Sequence, residues 1–112
     1  MVVVLERILT ELLNNACKYT PAREMISIEI RHQETQIEFC ISNSGVEIPL
    51  KERDRIFEKF YRIPQNDPWK YGGTGLGLAL VKQLVEHLGG AIEVLSANNQ
   101  TSFCFHLPLE QS

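Results

Sequence analysis

The sequence predicts an α+β domain of two layers: a mixed, mostly antiparallel sheet with helices on one face. Three observations lead there. Apolar residues recur at the three-to-four spacing of a helix in two segments, near residues 5–16 and 76–88. Four short segments, 26–31, 37–41, 91–95 and 102–107, read as strands. These strands come as two pairs, each joined by a short polar link, with helical segments before and between the pairs.

Taken in order, Leu5, Ile8, Leu9, Leu12, Leu13 and Ala16 share one face of the first helix. Pro21 ends it, because the residue before a proline avoids helical torsions. Ile26, Ile28 and Ile30 alternate with Ser27, Glu29 and Arg31, the pattern of a half-buried strand. Ile37, Phe39 and Ile41 repeat it, with 32–36 as the hairpin link. Asn43-Ser44-Gly45 closes the second strand, and Pro49 opens a short helix over 50–60 with Ile56, Phe57 and Phe60 on one face. Residues 63–73, IPQNDPWKYGG, read as a functional loop or lid, in which Trp69 is expected to be mobile. The second long helix carries Leu76, Leu80, Leu84 and Leu88, and Gly89-Gly90 caps its end. Asn98-Asn99 turns between the last two strands.

With 112 residues, 1–112 form a single domain with one core, and 44% hydrophobic residues is ordinary for a globular chain. A formal charge of −3 gives no reason to expect nucleic acid or an anionic membrane as partner. No apolar run approaches a bilayer's thickness, and VVVLE is too short for a signal peptide and lacks a basic leader. Cys17, Cys40 and Cys104 are odd in number and far apart, and read as reduced, packed thiols of a cytoplasmic protein.

Four pieces carry candidate chemistry. In GGTGLGLAL, residues 72–80, glycines stand directly before a helix, where unpaired N–H groups and the dipole favour an anion and no Cβ blocks a phosphate. A flexible linker before an ordinary helix gives the same pattern, and neither the Walker A loop nor the dinucleotide fingerprint fits. In ELLNNACKYTP, residues 11–21, Glu11, Asn15 and Lys18 fall at i, i+4 and i+7 and form a polar stripe beside the apolar face. Hard oxygens plus an ammonium suit a magnesium phosphate, and a solvated helix face is the plainer alternative. In ISNSGVEIP, residues 41–49, Gly45 allows a tight turn under a ligand, or simply joins strand to helix. In FEKFYR, residues 57–62, the phenylalanines read as core anchors, and Arg62 reaches a phosphate or is a surface charge.

Together and in this order, the four pieces resemble the ATP-binding catalytic domain of sensor histidine kinases, in the gyrase, chaperone, histidine kinase and mismatch-repair ATPase superfamily. ELLNNACKYTP is similar to its N box, ISNSGVEIP to its first glycine box, FEKFYR to its F box and GGTGLGLAL to its second glycine box, while TSFCFHLPL resembles its last strand. The resemblance implies the Bergerat-type sandwich, with ATP held between helices and a lid over about 63–73. It implies that Asn15 ligates Mg2+, Lys18 contacts phosphate, Tyr19 lies near the sugar or base, and Arg62 neutralises phosphate charge. Gly73, Thr74, Gly75, Leu76 and Gly77 would offer backbone N–H groups to the phosphates, and Thr101 would lie near the adenine. Glu11 stands where the ATPase branches place a water-activating carboxylate; in a kinase it would assist by positioning.

The implied activity is transfer of the γ-phosphate of Mg-ATP to a histidine on a separate dimerisation and phosphoacceptor domain, serving a response regulator in two-component signalling. Neither His32, His87 nor His106 has the acidic–x–basic–Thr/Ser–Pro surround of such an acceptor. The family also has a strand before its first helix, so the chain is expected to be a monomeric, cytoplasmic piece of a homodimeric parent that is free to be membrane-anchored. It is expected to have no autophosphorylation of its own and no direct contact with membrane or nucleic acid. Two alternatives stay open: an anti-sigma-type serine kinase, and a non-catalytic pseudokinase or regulatory module.

Three residues depart from the pattern. Asn43 stands where the family has an Asp that accepts from the adenine amino group. An amide oxygen still accepts, at a loss of about 1 kcal/mol in charge assistance. Glu47 replaces a glycine, with the prospect of a distorted turn or of repulsion of phosphate, and Gln100 replaces another. ATP binding is therefore expected to persist but to be weaker or less specific for adenine.

Overall fold

The computed structural model describes residues 2–45, 47–53, 55–58 and 77–109. Helix α1 (Val2–Tyr19) is followed by strands β1 (Ile26–His32) and β2 (Gln36–Ser44). Two 3-10 turns (Leu50–Glu52 and Arg55–Phe57), helix α2 (Gly77–His87) and strands β3 (Ala91–Ala97) and β4 (Gln100–Pro108) complete the order. The expected two layers are present: one four-stranded sheet, β1-β2-β4-β3, with α1 and α2 packed together on one face. All three strand pairings in the described sheet are antiparallel.

α1 ends two residues before Pro21, as the proline dictates, with Ile8, Leu12 and Ala16 buried. α2 ends in a Schellman arrangement, Gly90 N–H donating to the Val85 carbonyl and Gly89 N–H to the Glu86 carbonyl. Asn98 and Asn99 both take positive φ, 54° and 61°, which is the backbone of a two-residue hairpin turn that matches strand twist. The helix expected over 50–60 is instead, among the described residues, two short 3-10 turns. Their backbone bonds run from Glu52 N to Pro49 O, from Arg53 N to Leu50 O and from Glu58 N to Arg55 O, each spanning three residues rather than four.

Period-two alternation puts Phe39 and Ile41 of β2, Val94 of β3 and Phe103, Phe105 and Leu107 of β4 into one core with Ile8, Leu12, Val81 and Val85 of the helices. Phe39 and Phe105 stack at 4.9 Å across the central strand pair, and Phe57 meets Phe103 edge-on at 6.2 Å.

β1 corrects the sequence reading. Its alternation predicts a half-buried strand, yet every residue of it is exposed, with Ile28 at 52%. The register sets Ile28 and Ile30 beside Ile41 and Phe39 on the helix-facing side. β1 is the edge strand, however, and among the described residues the helices pack chiefly over β2, β4 and β3.

The cysteine reading is corrected too. Cys40 and Cys104 are directly opposed on the outer face of the two central strands and pair as a disulfide, while Cys17 is free and exposed. A sequence separation of 64 conceals a pairing that only the β2–β4 register creates. The bond belongs to an oxidising setting; a reducing one leaves two packed thiols.

Candidate functional site

Two polar groupings face each other's layers. The first is on the sheet. Asn43, Thr101 and Ser96 occupy successive strands β2, β4 and β3 in register, and all three are buried. They form a polar row at the end of the sheet, next to the apolar row Ile41, Phe103 and Val94. The Ser96 and Thr101 hydroxyls share a bond of 2.8 Å, and Ser96 Oγ accepts the Ile48 backbone N–H at 2.7 Å. Arg53 adds Nε to the Ile48 carbonyl and a guanidinium N–H to the Ser96 carbonyl. Asn43 differs from its neighbours: it is 5% exposed, and its amide makes no hydrogen bond among the described residues. No fully buried side-chain nitrogen or oxygen there lacks a partner, so its amide lies where the residue still meets solvent.

The chain leaves this row through Gly45. Its φ of +81° is disfavoured for other residues, and a Cβ would fall 2.5 Å from Glu24 Cγ. Glu24 is held there by a hydrogen bond from Ser44 Oγ to its Oε1 at 2.8 Å, and Ser44 Oγ accepts from Met25 N–H. Gly45 N–H donates to the Asn99 carbonyl, and Asn99 N–H donates to Glu47 Oε2 at 3.0 Å. Glu47 is thus committed to the β3–β4 turn. Its bond ties the loop to that turn next to Gln100, another position where the family pattern is broken.

The second grouping is on the helices. Glu11 and Asn15 are half-buried on α1, Lys18 is exposed, and Tyr19 is half-buried at the helix end and engaged. Arg7 holds Glu11 Oε1 at 3.1 Å. Glu11 Oε2 faces the start of α2: a Cβ on Gly77 would stand 2.9 Å from it. A side chain at position 77 would therefore displace the carboxylate from the positive end of the helix dipole. The Asn15 side chain makes no hydrogen bond among the described residues.

The structure thus brings Glu11 to Gly77, and Asn43 to Thr101 and the Gly45 turn. No contact joins Asn15 or Lys18 to the sheet row among the described residues. Arg62, Gly73, Thr74, Gly75, Leu76, Trp69 and the lid at 63–73 lie outside the described residues. Sequence reasoning missed Glu24, Arg53 and Ser96. Of these, Ser96 had a signal, a small polar residue in phase with Ile92 and Val94. Among the described residues no group of three or more His, Cys, Asp or Glu is placed to hold a metal. A magnesium ion here would take few protein ligands and complete its shell with phosphate and water.

Comparison with known proteins gives these groupings a context. The probable sensor kinase SilS of Salmonella typhimurium is 38% identical over 102 residues, 91% of this chain and 20% of that protein. The sensor histidine kinase WalK of Bacillus subtilis is 33% identical over 108 residues, 94% of this chain and 18% of that protein. The chain spans between 11% and 26% of the length of the curated relatives it matches. The mycobacterial sensor histidine kinase MprB has the same fold, with a TM-score of 0.84 at 32% identity over 96% of this chain and 74% of that one. Full-length ShkA in complex with AMPPNP superposes with a TM-score of 0.82 at 28% identity, over 97% of this chain and 22% of that one. The profile of the histidine kinase-, DNA gyrase B-, and HSP90-like ATPases matches residues 2–111. With a match of that extent, the chain belongs to this ATPase family.

Proposed function

We propose that residues 1–112 are the ATP-binding catalytic domain of a histidine kinase, which binds Mg-ATP and donates its γ-phosphate to a histidine on a separate phosphoacceptor domain. The observation that carries this reading is the approach of Glu11 to Gly77. It brings the Glu11 end of the α1 stripe to the start of α2, the helix end best suited to an anion, and this supports Asn15 and Lys18, further along the stripe, as groups for a phosphate and its Mg2+.

In this reading Asn15 gives Mg2+ an amide oxygen from the half-buried face of α1. Lys18 and Arg62 neutralise phosphate charge, and Gly73, Thr74, Gly75, Leu76 and Gly77 cradle the phosphates. Tyr19 borders the sugar, and Asn43, Gly45 and Thr101 border the base. The acceptor imidazole nitrogen attacks the γ-phosphorus, the bond to the β,γ-bridging oxygen breaks, ADP leaves with that electron pair, and the imidazole proton passes to solvent or a base. The protein's share is positioning and charge neutralisation. Glu11 positions. The phosphoacceptor domain, a response regulator and a homodimeric parent complete the assembly, and the domain itself works in the cytoplasm as a monomer. No helix among the described residues is long and apolar enough to cross a membrane.

The test supplies γ-labelled ATP to the chain together with the phosphoacceptor domain of its parent protein. The expected product is an acid-labile, base-stable phosphoramidate on the acceptor histidine. Label that resists acid, on a serine of a partner protein, would assign the chain to the serine kinases instead.

A further inference from the structure

We propose that Arg7 is a positioning residue for the nucleotide phosphates. By compensating the charge of Glu11 and holding one of its oxygens, it lets a polyanion settle at the start of α2 beside an acidic side chain. This rests on the nucleotide-binding reading above.

Three observations carry it. Arg7 stands one turn before Glu11 on the same face of α1, and its Nε and Nη2 both lie 3.1 Å from Glu11 Oε1. The guanidinium therefore grips one oxygen and leaves the other, Oε2, to face Gly77 at the start of α2. The Glu11 side chain is 23% exposed, so its carboxylate is partly withdrawn from water, and among the described residues Arg7 is the one cation paired with it.

The consequence is electrostatic. The start of a helix carries the positive end of its dipole, and a carboxylate there satisfies it much as a phosphate would. Without a counter-charge, Glu11 is a competitor for that end and a like charge beside incoming phosphates. Its partial burial makes water screen that charge less than at the open surface. Paired with Arg7, the side chain presents a nearly neutral group with one oxygen fixed. An exposed i,i+4 pair adds little to folding, so the loss of Arg7 is read at the nucleotide rather than in stability.

The test is calorimetric titration with Mg-ATP of the wild type, Arg7→Met, Arg7→Lys and the double variant Arg7→Met, Glu11→Gln. Arg7→Met keeps an aliphatic stem and is expected to weaken binding about fivefold at low salt, a loss that narrows as salt is raised. Arg7→Lys keeps the charge and is expected to stay within about twofold of the wild type. Adding Glu11→Gln to Arg7→Met is expected to restore affinity to within about twofold of the wild type, because the charge to be compensated is gone. A second substitution would not rescue a purely structural defect, nor a phosphate contact made by Arg7 itself. Arg31→Met removes the same charge from the distant strand β1 and is expected to leave binding unchanged. A wild type that binds while Arg7→Met binds equally well overturns the proposal and leaves the nucleotide-binding reading intact. So does a double variant as weak as Arg7→Met. A wild type that does not bind Mg-ATP overturns both.

Discussion

Ser96 sits at a core-facing position of β3, yet its hydroxyl and carbonyl together serve three segments of the chain. It accepts from Ile48 N–H, shares a bond with Thr101 of β4, and its carbonyl takes the Arg53 guanidinium. Ser96→Ala keeps the volume nearly unchanged but strands the Ile48 N–H in the interior. We expect a loss of about 1–3 kcal/mol in urea unfolding at an unchanged m-value. A loss below about 0.5 kcal/mol would mean that water replaces the hydroxyl and that the loop is not held from β3. Glu47 teaches a related lesson. Read as a replaced glycine, it threatens the turn or the phosphates. In three dimensions it accepts from Asn99 N–H and stabilises the turn. The donor lies 52 residues away, so nothing local in the sequence announces it.

Among the elements, β1 and β2 read almost alike in sequence and differ in the structure. Both alternate isoleucine with polar residues, but β2 is central and β1 is the edge. Ile41 is 1% exposed and Ile28, directly opposite it, is 52% exposed. Ile41→Ala should therefore cost about 2–5 kcal/mol, as large-to-small core changes do. Ile28→Thr, which keeps the β-branch, should stay within about 0.5 kcal/mol, checked by the same unfolding curves. Equal losses at the two positions would mean that something covers the β1 face in solution. Both long helices, four strands and both hairpins were legible, because periodicity, Pro21 and the paired glycines at 89–90 are local signals. Which strand lies at the edge, and that Cys40 meets Cys104, depend on strand order and register, which no local pattern contains. The two 3-10 turns in place of one helix at 50–60 reflect bonds of two ladders that the apolar spacing does not separate.

At the scale of the whole molecule, two layers meet with their polar groups at different places: the stripe on α1 and the row at the end of the sheet. Glu11 ties the first to the start of α2, and Asn43 anchors the second. The proposed function assigns phosphate chemistry to the first and base recognition to the second, so the two sets of substitutions should separate experimentally. The chain spans only 11% to 26% of its curated relatives, and phosphotransfer is a property proposed for the larger assembly. Nucleotide binding, by contrast, is testable on the chain alone. The most direct measurement is calorimetric titration with ATP, with and without Mg2+, on the wild type and on Asn15→Ala. Asn15 is half-buried and its side chain makes no hydrogen bond among the described residues, so truncating it should leave folding intact. The account predicts Mg2+-dependent binding that weakens by about tenfold or more in the variant, a change of at least about 1.4 kcal/mol. Binding that is indifferent to both Mg2+ and Asn15 would contradict it.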